Sequence, residues 1–212
     1  MKCQMQQFRQ EYVRNTLSIE SAASDPFHQF HLWFDDATQS GIIEPNAMAL
    51  ATSGPDEMPS VRIVLLKEYN SDGFVFFTNY HSRKGMHLAT NPKAALLFYW
   101  NILERQVRIE GKIKMTEPEY SDNYFHSRPF ESRVGAIVSM QSSLLKSRAT
   151  LEASFNEALK DKAKMPERPD YWGGYIIQPQ RFEFWQGREH RLHDRIQYRY
   201  IDGAWVKEML AP

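Results

Sequence analysis

The chain has 212 residues, 42% hydrophobic and 13% aromatic, which is enough to build the core of one large domain or two small ones. Its charges cancel to a formal net charge of +0, so a general nucleic-acid binder, which needs a basic face, is not expected. The one cysteine, Cys3, rules out an intrachain disulfide and fits a reducing compartment. The chain shows neither an apolar run near the roughly 20 residues of a membrane helix nor an apolar stretch at its start. We therefore expect a cytoplasmic protein with no membrane partner.

The first elements in chain order are a polar segment and a helix. Residues 15–24 are rich in Ser, Ala and Asn, which is typical of a linker. Asp25 and Pro26 are typical of a helix start, because the carboxylate caps free N–H groups and a proline in the first turn needs no N–H partner. The helix is expected to stop at Gly41, and its apolar side chains share one face: Phe27, Phe30, Phe34 and Ala37.

From residue 47 onwards, the pattern is typical of strands joined by short turns. In 106–115, apolar and polar residues alternate cleanly, as in an antiparallel strand with one buried face. Asp202 and Gly203 are typical of a two-residue hairpin turn. The predicted strands are 47–52, 61–67, 74–78, 94–100, 106–115, 175–177, 181–185, 196–201 and 205–209.

Helices are predicted between these strands. One follows residue 85, another begins at Thr116, which has capping-box spacing to Glu119, and two more start near residues 131 and 147, the last running to 162. Strands outnumber helices and follow one another like hairpins. We therefore predict a mainly β fold, an antiparallel sheet closed into a barrel with helices packed outside. The sequence shows no internal repeat and no linker in the middle of the chain.

The stretch with the most chemical information is 182–195, which reads FEFWQGREHRLHDR. An aromatic run ending at Trp185 is followed by closely spaced basic residues: Arg188, His190, Arg191, His193 and Arg195. Arginine offers a planar fork of donors to phosphate or carboxylate, and histidine exchanges a proton near neutral pH. With the flat face of Trp185 beside them, these residues indicate a site for a flat, anionic small molecule.

Four other segments carry cations, hydroxyls or amides suited to phosphate: 62–67, 78–85, 124–132 and 141–148. Segment 78–85 precedes a predicted helix, whose free N–H groups and dipole favour an anion. Taken singly, each is equally well a strand end, an exposed basic turn, a helix cap or a surface patch. Together they are better explained by one or two ligands with phosphate groups and flat rings. His190 and His193 lie three apart without a third ligand beside them, so no metal is expected.

Six motifs resemble the pyridoxamine 5′-phosphate oxidase family, and their order and spacing extend the likeness over nearly the whole chain. They are RIVLLK (62–67), FTNYHSRKG (77–85), LERQVRIEG (103–111), YFHSRP (124–129), SMQSS (139–143) and FWQGREHRLHDR (184–195). The resemblance implies an FMN-binding split β-barrel that works as a homodimer, with FMN at the subunit interface. This fold agrees with the antiparallel barrel that the strand pattern predicts.

The resemblance also implies which residues bind FMN. Its phosphate, ribityl chain and ring edge are expected to be held by Arg62, Lys67, Arg83, Lys84 and Ser142. The first strands are expected to line the flavin with Ile63, Val64, Leu65, Phe77 and Thr78. Hydrogen bonds are expected from Gln106 and Gln141, and contacts from the partner subunit are expected from Trp185 and Arg195.

For the substrate, the family pattern implies a phosphate clamp made of Lys67, Tyr124, Arg128 and Ser132. The catalytic pair, beside the reacting end of a pyridine ring, is expected to be Arg191 and His193. Arg9 and Tyr12 match an N-terminal segment, so residues 1–24 are expected to close over the substrate and 25–212 to form a single domain. The pattern leaves Arg188 and His190 without a role.

The family activity is FMN-dependent oxidation of pyridoxamine 5′-phosphate and pyridoxine 5′-phosphate to pyridoxal 5′-phosphate, with O2 as electron acceptor and H2O2 as product. Two alternatives are a split-barrel flavoprotein that acts on another substrate and a carrier of flavin or pyridoxal phosphate. The carrier leaves the pair Arg191 and His193 unexplained. A third alternative is a nucleic-acid-binding module, in which the basic segments would contact DNA or RNA.

Overall fold

A computed structural model describes residues 12–160 and 166–212. The helices are α1 (Pro26–Gln39), α2 (Arg83–Thr90), α3 (Pro118–Ser127), α4 (Phe130–Val138) and α5 (Arg148–Lys160). The strands are β1 (Ala47–Ser53), β2 (Pro59–Leu65), β3 (Glu68–Asn70), β4 (Gly73–Asn79), β5 (Lys93–Trp100), β6 (Arg105–Met115), β7 (Trp172–Gln186), β8 (Asp194–Ile201) and β9 (Ala204–Met209).

The strands form one sheet in the order β2-β1-β5-β6-β7-β4-β3, with β8 pairing to β7 and β9 to β8. The pairs β3–β4, β4–β7, β7–β8 and β8–β9 are antiparallel. The β8–β9 hairpin turns at Asp202 and Gly203, whose φ angles of 49° and 86° suit the predicted two-residue turn. The mainly β, antiparallel fold with flanking helices is confirmed.

The contacts divide the described chain into two compact units. Unit 1 contains residues 12–49, 95–110 and 179–212, and unit 2 contains 50–94, 111–160 and 166–178. In the part of the chain that the structure describes, no helix is long and apolar enough to cross a membrane.

Unit 1 has an aromatic core built on α1. Asp25 caps this helix by accepting from the His28 N–H at 2.9 Å, as predicted. Phe30, fully buried, packs edge-on against Phe98 at 5.1 Å, and Trp33 packs against Phe184 at 5.3 Å. These rings fix one face of α1 against strands of the same unit.

Two local predictions are wrong. Thr116 does not cap α3: the helix starts after Glu117 without a side-chain cap, and Thr116 Oγ1 lies 2.9 Å from Ser121 Oγ instead. The strands predicted at 175–177 and 181–185 are one strand, β7. Pro179 falls between its two ladders, because 172–177 pairs with β4 and 181–186 with β8, so the proline interrupts neither.

Candidate functional site

Unit 2 places two cations in the first turn of α2. Ser82 caps the helix, accepting from the Gly85 N–H, and Arg83 and Lys84 occupy its first turn. The turn before the helix requires glycine at 85, because a β-carbon there would lie 2.0 Å from the Tyr80 carbonyl oxygen. The close turn therefore brings both cations to the free N–H groups of a helix N-terminus, which favours an anion.

Lys84 is buried, with 8% of its surface exposed. Its Nζ donates to Thr78 Oγ1 at 3.1 Å, to Ser82 Oγ at 3.3 Å and to Gln141 Oε1 at 2.8 Å. Burial, and then the neighbouring charge of Arg62, lower the pKa of Lys84 to about 8. The structure thus places Thr78, Lys84 and Gln141, three predicted FMN residues, in one hydrogen-bonded group.

Arg62 lies on β2 with its guanidinium anchored to the same unit. Nη1 donates to the Leu50 carbonyl at 3.0 Å and to Thr52 Oγ1 at 2.8 Å, and Nη2 donates to Ser60 Oγ at 2.7 Å. Burial and the charge of Arg83 lower the pKa of Arg62. Within the described chain, none of the three cations Arg62, Arg83 and Lys84 has a carboxylate partner. Like charges held together without an acid are suited to a phosphate group.

The other predicted cofactor residues of unit 2 lie on β2 (Ile63, Val64 and Leu65), just after it (Lys67), on β4 (Phe77) and in the segment after α4 (Ser142). On β2, Ile63 is 66% exposed, whereas Val64 and Leu65 are half-buried. A cavity of about 460 Å³ is lined by Gln141 and Ser142 together with Asn79, His81, Met86, Ser139, Met140, Ser143 and Tyr171. Ser142 has a left-handed backbone, with φ of 72°.

Three of the four predicted clamp residues, Lys67, Tyr124 and Arg128, lie at a stack of aromatic rings. The ring centres of Tyr124 and Phe77 lie 3.8 Å apart, with an angle of 18° between the ring planes. The ring of Trp172 is nearly parallel to that of Tyr124, at 4°. Lys67 Nζ lies 6.0 Å from the Tyr124 ring centre, and the Arg128 guanidinium lies 4.8 Å from that of Trp172. Ser132, also assigned to the clamp, is exposed in the first turn of α4.

Arg128 has a buried nitrogen with nothing to bind. Its Nη1 is inaccessible to solvent and has no hydrogen-bond partner among the described residues. Burial lowers the pKa of Arg128. A buried N–H without a partner carries a free-energy cost of about 1–3 kcal/mol, which an anionic ligand would remove.

In unit 1, three further predicted FMN residues line one cavity of about 190 Å³: Gln106, Trp185 and Arg195. Arg195 is held by the buried carboxylate of Glu183, with Nε and Nη2 at 2.9 and 2.8 Å from Oε1, and its Nη1 donates to the Ala211 carbonyl at 2.7 Å. Glu183 Oε2 also pairs with Arg108 Nη2 at 2.8 Å. Sequence reasoning did not assign Glu183, although an acid inside an aromatic strand was a visible signal for it.

The predicted catalytic pair lies in a strained turn of unit 1. His190 and Arg191 both have left-handed backbones, with φ of 55° and 64°. Two successive non-glycine residues of this kind are unfavourable, and such strain is concentrated at functional sites. Arg191 is exposed, and its guanidinium has no acidic partner within the described chain.

The proton position on His193 follows from its backbone contact. The Arg188 N–H donates to His193 Nδ1 at 3.1 Å, so neutral His193 carries its proton on Nε2. Arg188, which the sequence left without a role, also pairs with Asp194 at 3.0 Å. Burial and then Arg191 lower the pKa of His193, and Asp194 opposes them. The neutral form of His193, which burial favours, therefore offers its Nε2–H as a hydrogen-bond donor.

Tyr12 reaches the same turn from the N-terminal segment. Its ring lies 5.6 Å from Trp185 and 5.7 Å from His193, both edge-on. The segment after it is held by carboxylates: Glu104 accepts from the Val13 N–H at 3.0 Å, and Asp194 from the Leu17 N–H at 2.9 Å. Tyr12, Trp185 and His193 thus form one cluster, whereas Arg9 lies outside the described residues.

Two family models match the chain. One, described as pyridoxamine 5′-phosphate oxidase, matches residues 34–160, and one described as pyridoxine 5′-phosphate oxidase C-terminal dimerisation region matches 172–212. The chain belongs to the pyridoxamine 5′-phosphate oxidase family. Pyridoxine/pyridoxamine 5′-phosphate oxidases of Bordetella petrii and Pseudomonas paraeruginosa are 53% and 52% identical to it over 205 and 207 residues. Each alignment covers 96% of this chain, and 97% and 96% of the respective relatives.

Solved structures agree with this family and confirm the split-barrel fold. PhzG from Burkholderia lata, crystallised with tetrahydrophenazine-1-carboxylic acid, has a TM-score of 0.88 and 29% identity, covering 94% of this chain and 99% of its own. A pyridoxamine 5′-phosphate oxidase-related, FMN-binding protein from Nostoc punctiforme has a TM-score of 0.73 and 15% identity, covering 90% and 100%.

The contacts of His193 in this oxidase-family chain predict its titration. We expect the NMR titration of its imidazole to have a midpoint below that of free histidine, because burial and Arg191 disfavour the charged form. Asp194→Asn should lower the midpoint further, since it removes the charge that favours protonation. A midpoint above that of free histidine, or a rise in Asp194→Asn, would contradict the assignment of His193 as a neutral donor.

Proposed function

We propose that this protein oxidises pyridoxamine 5′-phosphate and pyridoxine 5′-phosphate to pyridoxal 5′-phosphate with bound FMN, using O2 and releasing H2O2. The observation that carries the proposal is a pair of separate cation sites without acids in unit 2: one around Lys84, the other at Arg128 with its unpartnered nitrogen. Two phosphate sites suit a phosphorylated cofactor and a phosphorylated substrate. The names of relatives at 53% and 52% identity give phosphorylated substrates, and the name of the structural neighbour from Nostoc punctiforme gives FMN binding; both support this pair of ligands.

The residues present fit FMN. Arg62, Arg83 and Lys84 would hold its phosphate, because their mutual repulsion is relieved by an anion. Gln106, Trp185 and Arg195 surround a cavity with a flat face and donors, which suits a ring edge. When bound, FMN would supply the redox chemistry, since a flavin can accept a hydride and pass electrons on to oxygen.

The protein's own residues orient the substrate. Arg128 and Lys67 would bind its phosphate with charge-assisted hydrogen bonds of roughly 1.5–3 kcal/mol each. Arg191 would direct the ring and counter charge near the 4′ substituent, and His193 would donate its Nε2–H there. The substrate loses two electrons and two protons to O2, and the imine formed from an amine is hydrolysed by water.

The active form proposed here is a cytoplasmic homodimer. The match of residues 172–212 to a dimerisation region supports the homodimer. We place FMN at the subunit interface, with Trp185 and Arg195 supplied by the partner subunit. Residues 1–24 would act as a segment that closes over the substrate and 25–212 as the FMN-binding domain, a division supported by the position of Tyr12 beside Trp185 and His193.

The proposal is tested by the absorption spectrum of the purified protein, before and after pyridoxamine 5′-phosphate is added without oxygen. We expect a flavin spectrum that bleaches, and formation of pyridoxal 5′-phosphate and H2O2 once air is admitted. A protein that neither binds added FMN nor yields pyridoxal 5′-phosphate under air would refute it.

A flavoprotein acting on another substrate is the second candidate, favoured by the likeness to PhzG, whose ligand is a carboxylic acid. Turnover with phosphorylated pyridines, compared with turnover of non-phosphorylated ring acids, separates the two candidates. A carrier would bind flavin or pyridoxal phosphate without releasing peroxide.

Arg128→Ala should raise the KM for the phosphorylated substrate by roughly tenfold or more, because it removes one charge-assisted bond. FMN affinity and kcat should change much less, since Arg128 stands apart from the Lys84 group in the proposed roles. Steady-state kinetics at several substrate concentrations measure both constants. Arg148→Ala, at an exposed arginine paired with Glu152, is the matched control. A selective fall in kcat in Arg128→Ala would contradict the clamp.

A further inference from the structure

Arg62 is tied by a buried hydroxyl to a buried histidine. Its Nη1 donates to Thr52 Oγ1 at 2.8 Å, and the same oxygen lies 3.3 Å from His87 Nδ1. Thr52 is 4% exposed and His87 7%. One hydrogen-bonded chain therefore connects β1 through Thr52, β2 through Arg62 and α2 through His87.

The chemistry of arginine fixes the direction of the first bond in this chain, and the tautomer of His87 sets the direction of the second. Arginine only donates, so Thr52 Oγ1 accepts from Arg62. The Thr52 hydroxyl hydrogen remains available for His87 Nδ1, and we assign His87 the tautomer that accepts it, with the imidazole proton on Nε2. Donation to His87 also strengthens the Thr52 oxygen as an acceptor, because linked hydrogen bonds polarise one another.

His87 is fixed in place by the turn between β1 and β2. A β-carbon at Gly54 would lie 2.8 Å from His87 Cδ2 and 3.1 Å from Nε2, so the imidazole packs directly on the glycine backbone. The His87 carbonyl also accepts from the Asn91 N–H at 2.8 Å at the end of α2. The glycine turn therefore packs against the imidazole, whose Nδ1 faces Thr52, while the end of α2 holds the His87 backbone.

This arrangement decides which Arg62 donors remain for a ligand. Of the five N–H donors of a guanidinium, three are used by Leu50, Thr52 and Ser60. The two left over can form a forked contact with phosphate only while the guanidinium plane is held. Without the hydrogen bond from Arg62 Nη1 to Thr52 Oγ1, the guanidinium would be held less firmly in this orientation.

We propose that Thr52 and His87 are positioning residues that set Arg62 for the phosphate of the flavin cofactor, a role that rests on the proposed function. Neither touches the phosphate. Thr52 orients the guanidinium, and His87 orients the Thr52 hydroxyl. Their effect should therefore depend on whether the flavin carries a phosphate.

The test compares FMN with riboflavin, which has the same ring and no phosphate. The full chain, stripped of flavin, is titrated with each by flavin fluorescence. Thr52→Val keeps the branched shape and removes the oxygen, so FMN affinity should fall roughly tenfold, whereas riboflavin affinity should stay within about twofold. Thr52→Ser keeps the oxygen and should restore FMN affinity.

His87 supplies a second, independent pair of variants. His87→Leu removes the acceptor and should weaken FMN binding by less than Thr52→Val, whereas His87→Asn, whose amide oxygen can accept, should stay near wild type. Equal losses for FMN and riboflavin in Thr52→Val would overturn the proposal, as would unchanged FMN affinity in both Thr52→Val and His87→Leu. A wild-type chain that binds both flavins equally would overturn the proposal and leave the flavin site standing. A chain that binds neither would overturn the proposed function itself.

Discussion

Arg191→Ala is expected to lower kcat/KM for pyridoxamine 5′-phosphate by roughly 100-fold, because misplacing a reacting group by about 1 Å has an effect of that size. The guanidinium is exposed and has no acidic partner in the described chain, so its removal breaks no structural ion pair. FMN binding should be retained, since Arg191 is assigned to the substrate. Formation of pyridoxal 5′-phosphate under air gives the kinetic constants, and flavin fluorescence gives the affinity.

His190→Ala is the matched control for this variant. His190 is exposed and shares the left-handed backbone, with φ of 55° beside 64° at Arg191, so alanine meets the same strain at both positions. We expect kcat/KM within about threefold of wild type for the control, as is usual for a surface substitution. Similar losses in both variants would mean that the strained turn matters and the Arg191 guanidinium does not.

Local patterns predicted many of the elements. The capped start of α1 at Asp25 and the turn at Asp202 and Gly203 each depend on a few neighbouring residues, and both are confirmed. The linker predicted at 15–24 has no regular element, but Leu17 and Ala22 are buried, at 6% and 4% exposure. Composition cannot predict this burial, because it depends on partners far along the chain, such as Lys207, whose Nζ donates to the Ala22 carbonyl at 2.7 Å.

In the candidate site too, the sequence predicts individual residues but not the contacts between residues far apart along the chain. Motif positions indicated Lys84 and Gln141, but not that the two meet 57 residues apart across a 2.8 Å bond. Arg188 acts on His193 through its backbone N–H, which residue type does not reveal. Glu183 stabilises Arg195 from a strand that reads as core. Supporting residues of this kind are set by packing, so the sequence indicates the residues expected to meet the ligand better than those that hold them.

Lys84→Met should weaken FMN binding by roughly 100-fold, because it removes a buried, charge-assisted donor from the proposed phosphate site. Methionine fills the space of the lysine stem, so the aliphatic packing is kept. Lys112→Met, at an exposed lysine on β6 of the same unit, is the control and should bind FMN as wild type does. Fluorescence titration with FMN measures both.

The same lysine predicts a stability difference that depends on pH in the flavin-free chain. The pKa of Lys84 is about 8 when folded and 10.5 in its ordinary state, so between these pH values the unfolded chain holds a proton that the folded chain has released. The free energy of unfolding of wild type should therefore rise from pH 8 to pH 10.5 relative to that of Lys84→Met. Urea unfolding of both proteins at each pH measures this difference. Saturating FMN should remove this rise, because a bound phosphate favours the charged lysine. If the difference in free energy of unfolding between the two proteins stays constant across that range, burial does not lower the pKa of Lys84. If the rise persists with FMN, the phosphate does not reach Lys84.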